Sequence, residues 1–88
     1  MQRPKPMEIQ YSNFAYGDKV IVKEKYVLEI GKKDLELAKF LAYEVGEVVE
    51  FDDITWEYKI QFRDRSLWFR RFHLDCVELK RPNKRNKE

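Results

Sequence analysis

Eighty-eight residues allow one domain, since domains run to roughly 100–200 residues, and 43% hydrophobic against 39% charged content describes a chain that can fold and stay in water. A lone cysteine, Cys76, excludes an internal disulfide, and no apolar run is long enough for a signal peptide or a membrane span, so the sequence predicts a reducing, cytoplasmic setting. The formal charge of +2 is unevenly divided: the two ends, 1–7 and 80–88, hold seven basic residues against Glu88, or +6, while residues 8–79 hold eleven basic against fifteen acidic, or −4.

Residues 1–13 contain two of the three prolines and little periodicity, and read as a flexible lead-in to a single domain over 14–80. Gly17-Asp18 is a turn signal, after which Val20 and Val22 share one face, with charged residues beyond, and predict a strand over Lys19–Lys25. Gly31 interrupts the pattern. Leu37, Phe40, Leu41 and Glu44 then fall at i, i+3, i+4 and i+7, a period that predicts a short helix over Lys33–Tyr43 with Asp34 as its cap, or else a long loop that buries Leu37 and Phe40. At about eleven residues the helix is too short to persist alone and has to pack against the rest of the domain.

From Glu47 the signal turns to strand. Glu47–Phe51 leads into Asp52-Asp53, an acidic pair suited to a turn, and Trp56, Tyr58, Ile60 and Phe62 then occupy every second position between Glu57, Lys59 and Gln61. In a strand that spacing puts four large apolar groups on one face, so the two segments predict a hairpin. Asp64–Ser66 is the next turn, Leu67–Phe72 a further strand, and Cys76–Leu79 a last short one before Pro82. The end of the chain, 81–88, is basic and nearly free of apolar groups, the composition of a disordered tail.

Five short strands with a long excursion after the first and tight hairpins among the middle three predict a mainly β domain: a five-stranded antiparallel barrel with one short helix inserted after the first strand. In Gly17–Val22, Gly46–Phe51, Trp56–Phe62, Leu67-Trp68-Phe69 and Leu74–Leu79 the chain resembles the Src-homology-3-like small barrels, including the Tudor-like and KOW-like groups, over residues 17–79. The resemblance implies a short helical turn between the last two strands. It also implies a binding function without choosing the ligand, because such barrels take proline-rich peptides, modified peptides, RNA, DNA or larger protein complexes. The helix at Lys33–Tyr43 stands where peptide-binding members carry an acidic, aromatic-lined loop.

Catalytic chemistry has little to build on. His73 is the only histidine, and Cys76 three positions later lacks visible oxyanion donors, so it reads as a core thiol. One cysteine and one histidine cannot make a structural zinc site, Asp52-Asp53 is ordinary turn chemistry, and Gly17, Gly31 and Gly46 are isolated. The expectation is a non-enzyme with no metal, cofactor or small-molecule substrate. Binding is better supported: Lys59, Arg63, Arg65, Arg70 and Arg71 face one acid, Asp64, with Phe62, Trp68, Phe69 and Phe72 interleaved. Arginine with aromatics makes protein hot spots, and equally holds phosphates and stacks bases.

The candidate partner-binding residues are therefore Arg63, Arg65, Trp68, Phe69, Arg70 and Arg71. On a strand Trp68 and Phe69 point to opposite faces, so one of the two is expected at the surface unless both faces are covered. The mildly acidic 8–79 segment favours a protein partner over nucleic acid, whose affinity rests on phosphate neutralisation. The leading expectation is a protein-interaction module, an adaptor or an inhibitor of a larger intracellular machine. In size and composition it is like the compact proteins with which bacterial viruses redirect host complexes. The alternative is a nucleic-acid-binding barrel using the basic stripe and the C-terminal tail.

Overall fold

A computed structural model of the chain describes residues 3–7 and 13–79. The basic tail at 81–88 and the middle of the lead-in therefore lie outside the described residues. The order is β1 (Lys19–Val22), α1 (Glu24–Gly31), α2 (Leu35–Tyr43), β2 (Gly46–Asp52), β3 (Glu57–Gln61), β4 (Ser66–Arg70), a 3-10 turn (Arg71–His73) and β5 (Leu74–Glu78).

All strand pairings are antiparallel and the sheet runs β4-β3-β2-β1-β5. The domain is thus mainly β, with five strands as the alternation predicts. β4 and β5 are the outer strands and do not pair with each other, so the sheet is open along that line. The outer edge of β5 is met by the chain's first described segment: the amide of Met7 donates to the Cys76 carbonyl at 2.8 Å. The Arg3 guanidinium donates to the carbonyls of Ala42 and Val22, at 2.6 and 2.7 Å.

Two helices, not one, follow β1. The predicted strand over Lys19–Lys25 ends at Val22 because Lys23 turns the chain and α1 begins at Glu24. Val27 is buried, and Tyr26 and Ile30 pack beside it against the core. That i, i+1, i+4 set is helical. The predicted helix is present but starts at Leu35 instead of Lys33, because Asp34 is its N-cap, with its carboxylate accepting the Leu37 amide at 3.1 Å; Ala38 and Leu41 form the buried stripe, and Leu37 and Phe40 are partly buried beside it. Neither helix has enough residues to stand alone, and α2 packs against both α1 and β1.

β2 is bent by an extra residue. Val48 pairs with Ile60 and Glu50 with Lys59, which leaves Val49 without a partner and reverses the parity of the strand. Before the bulge Gly46 and Val48 are buried; after it Phe51 is the residue that reaches Tyr58, with ring centroids 4.7 Å apart. A second register shift separates Lys19, opposite Glu78, from Val20, opposite Cys76.

The core forms around Val20, Val22, Leu41, Val48, Ile60 and Leu74, each almost without exposure, with Tyr58, Phe62 and Phe69 supplying the rings. Burying an aliphatic side chain of this kind contributes about 1.5–3 kcal/mol. Three of the four alternating positions behave as predicted: Tyr58, Ile60 and Phe62 point inward. Trp56 does not, because it belongs to the turn before β3. The last strand also starts earlier than its apolar content indicates, at Leu74 instead of Cys76, because the 3-10 turn returns the chain directly onto β1.

Candidate binding site

The six residues singled out from the sequence do not form one surface. Arg63 and Arg65 lie in the β3–β4 turn, and Arg70 and Arg71 lie at the far end of β4, five residues or about 17 Å away at roughly 3.3 Å per residue. Arg63 donates to the Glu44 carboxylate at 2.7 Å. Arg65 donates to Asp64 at 3.2 Å and lies over the Phe40 ring. That hydrogen bond holds the Asp64 carboxyl below its ordinary range, the proximity of the Arg65 and Arg63 charges adding to it. Lys59 sits 3.8 Å from Glu50. Of the two aromatic residues on β4, Trp68 is at the surface, 42% exposed, and Phe69 is a core residue at 5%, which removes Phe69 from any contact surface.

Arg70 and Arg71 belong to a different neighbourhood, created by the β2–β3 turn. Asp52 organises that turn: its carboxylate accepts the amides of Ile54 and Thr55, at 2.9 and 3.4 Å, and its carbonyl accepts the Trp56 amide at 2.8 Å. The turn closes with Trp56 at φ 63, in the left-handed region, where a bulky residue is rare and costs about 1–2 kcal/mol. The positive φ turns the indole out of the line set by Tyr58, Ile60 and Phe62. It leaves Trp56 66% exposed, edge-on to Phe51 at 6.1 Å, beside Ile54 at 85%.

Across from this turn, the 3-10 segment places Phe72 at 61% exposure. Trp56, Ile54 and Phe72 rim a groove of about 510 Å³ floored by Phe51 and Tyr58, with Arg70 and Arg71 on its wall and no carboxylate among the described residues that line it. Arg71 is held over the Phe14 ring at 4.4 Å. Arg70 has no ion-pair partner among the described residues, although Glu57 stands opposite it in the β3–β4 register.

The groove shares walls with neighbouring depressions. On one side Trp56, Phe51 and Tyr58 also bound a depression of about 400 Å³ completed by Phe14, Ala15 and Tyr16. On the other, Phe72 also bounds a depression of about 420 Å³ with Tyr26, His73, Lys23, Lys25 and Glu29. In this last hollow His73 stacks on Tyr26, centroids 3.5 Å apart, and its Nδ1 has no hydrogen-bond partner among the described residues. Burial, with the charge of Arg70 added, pushes the His73 imidazole below its ordinary value of 6.5. Lys23 is ion-paired with Asp75.

The sequence identifies Arg70 and Arg71 and marks Phe72 as an interleaved aromatic. It misplaces Trp56 in the core and gives no sign of Tyr16 or Ile54. The only signal for these last two is negative: each is a large apolar side chain in a turn, where polar residues are usual.

Cys76 is a buried core thiol, and no group of three or more metal-ligating side chains occurs among the described residues. No helix among the described residues is long and apolar enough to cross a membrane. Comparison of the chain with protein-family models, with curated proteins and with solved structures finds no match in any of the three.

Proposed function

We propose that this chain is a non-enzymatic protein-interaction module, an adaptor or inhibitor of a larger assembly, whose contact surface is the aromatic and arginine-lined groove between the β2–β3 turn and the 3-10 turn. One observation carries the reading: Trp56 is kept as a large, two-thirds-exposed aromatic in a backbone conformation that glycine would adopt at lower cost. Strain of that kind persists where the side chain has a use, and Trp beside Arg is the composition of interface hot spots. The strand order, the long excursion after β1 and the 3-10 turn between β4 and β5 support a further part of the proposal, that the sheet is a small barrel of the Src-homology-3-like type.

A nucleic-acid partner is less well supported. Of the cations between Lys59 and Arg71, three are already engaged with carboxylates, and Glu50 and Glu57 stand beside Lys59 and Arg70. The test is affinity capture from cell extract with wild type, Trp56→Ala and Trp68→Ala, each verified as folded. The proposal expects a partner retained by Trp68→Ala and lost with Trp56→Ala. A partner retained equally by all three contradicts it.

A further inference from the structure

Resting on that reading, we infer that the occupant is an extended segment of the partner protein, apolar where it lies against Tyr16 and Trp56 and acidic where it passes Arg70 and Lys25. Three contiguous depressions, the first and second sharing Trp56 and the second and third sharing Phe72, do not suit a single compact ligand. They suit a chain that lays successive side chains into successive hollows, as extended peptides do in aromatic-lined grooves. The charge of the lining changes from one to the next. Among the described residues, the lining of the Tyr16 hollow has no charged side chain, and that of the middle groove has Arg70 and Arg71 as its only charged ones. The third hollow adds Lys25 against Glu29, and that carboxylate already meets Lys32 at 3.5 Å; its other lysine, Lys23, is paired with Asp75. Neither Arg70 nor Lys25 has an ion-pair partner among the described residues.

The same arginine and rings would attract a nucleic-acid strand, but its regularly repeated phosphates would also lie along the Tyr16 hollow, where the described lining residues include no cation. A peptide can put a carboxylate opposite Arg70 and none there. Like charges set opposite each other suppress the wrong partner, and complementary ones select the right one.

The test is selection of displayed random decapeptides on the immobilised full-length protein, with counter-selection on Trp56→Ala. The expected result is enrichment of sequences with aromatic or large aliphatic residues followed by Asp or Glu. A synthetic peptide of that type should bind at least about tenfold more weakly to Arg70→Glu and show no change with Arg63→Glu. Trp56-dependent peptides that are neutral or basic overturn the acidic assignment while leaving the groove as the site. If no Trp56-dependent peptide emerges, and oligothymidine shifts the Trp56 indole resonance instead, the inference falls together with the protein-partner reading. If no peptide emerges and oligothymidine has no effect, the inference falls alone, provided that extract capture still depends on Trp56.

Discussion

Gly46→Ala puts a methyl group where the fold has no room for one. Gly46 opens β2 opposite Val20, and a Cβ built there lies 2.3 Å from Cγ2 of Ile60 and 2.9 Å from Cε1 of Phe62. Both neighbours are buried on all sides, so neither can swing away. The backbone of Gly46 is not in the left-handed region, so alanine is conformationally allowed, and on unfolded-chain entropy alone it would stabilise by about 0.4–1 kcal/mol. Overpacking costs about 1–3 kcal/mol, and an overlap this deep belongs at the upper end. The net expectation is a loss of about 2 kcal/mol, which for a domain of this size lowers Tm by about 8–16 °C.

Urea or thermal unfolding followed by circular dichroism measures this loss, and a pair of double mutants locates its origin. Ile60→Val keeps Cγ2, so the penalty of Gly46→Ala should persist in that background. Ile60→Ala removes Cγ2, and the penalty should shrink there, measured in a stabilising osmolyte because that truncation alone costs about 2–5 kcal/mol. A Gly46→Ala protein as stable as wild type, or a penalty that Ile60→Ala does not reduce, would refute the packing of Gly46 against Ile60.

At position 56, glycine should give a protein about 1 kcal/mol more stable than alanine does, since both lose the ring but only glycine relieves the left-handed backbone; denaturant midpoints decide it. Replacing Asp34 with alanine removes the acceptor for the Leu37 amide and should cost about 1 kcal/mol, read in the same assay, with Glu36→Ala as an exposed control. His73 titrates below 6.5 in the folded chain because it is partly buried and near Arg70, so the unfolded chain takes up the proton first. The contribution of His73 to stability should be constant above about pH 6.5, fall as pH drops below it, and level off below the folded-state value. His73→Phe should retain the stacking on Tyr26 and remove that step from a pH series of unfolding curves.

How much of this was legible in the sequence depends on whether side-chain period alone decides the matter. Tyr58, Ile60 and Phe62 announce β3 because a period of two with polar residues between has few other uses, and α2 is announced by its period and by Asp34. α1 was hidden because Val20 and Val22 run straight into an alternation of lysines and glutamates, which looks like continued strand until Tyr26, Val27 and Ile30 are taken together. Trp56 is in phase with β3 but outside it, since the handedness of one φ angle leaves no trace in periodicity. The parity change at Val49, which brings Phe51 to the floor of the groove, is equally silent.

The site was half legible for a related reason. Composition locates the arginine-rich stretch, but the length of β4 separates Arg63 and Arg65 from Arg70 and Arg71, and the alternation of that strand sends Trp68 outward and Phe69 inward. The groove draws its other walls from turns distant in the chain, at Asn13–Tyr16 and Ile54–Trp56, which meet Phe72 only through the order of the strands.

Amide hydrogen exchange on the captured complex tests the central assignment most directly. Partner binding should slow exchange in the segments around Ile54–Trp56 and Arg70–His73 and leave the exposed side of α1 and α2, around Leu28 and Leu35, unchanged. Protection confined to that helical side, with the two turns exchanging as in the free protein, would contradict it.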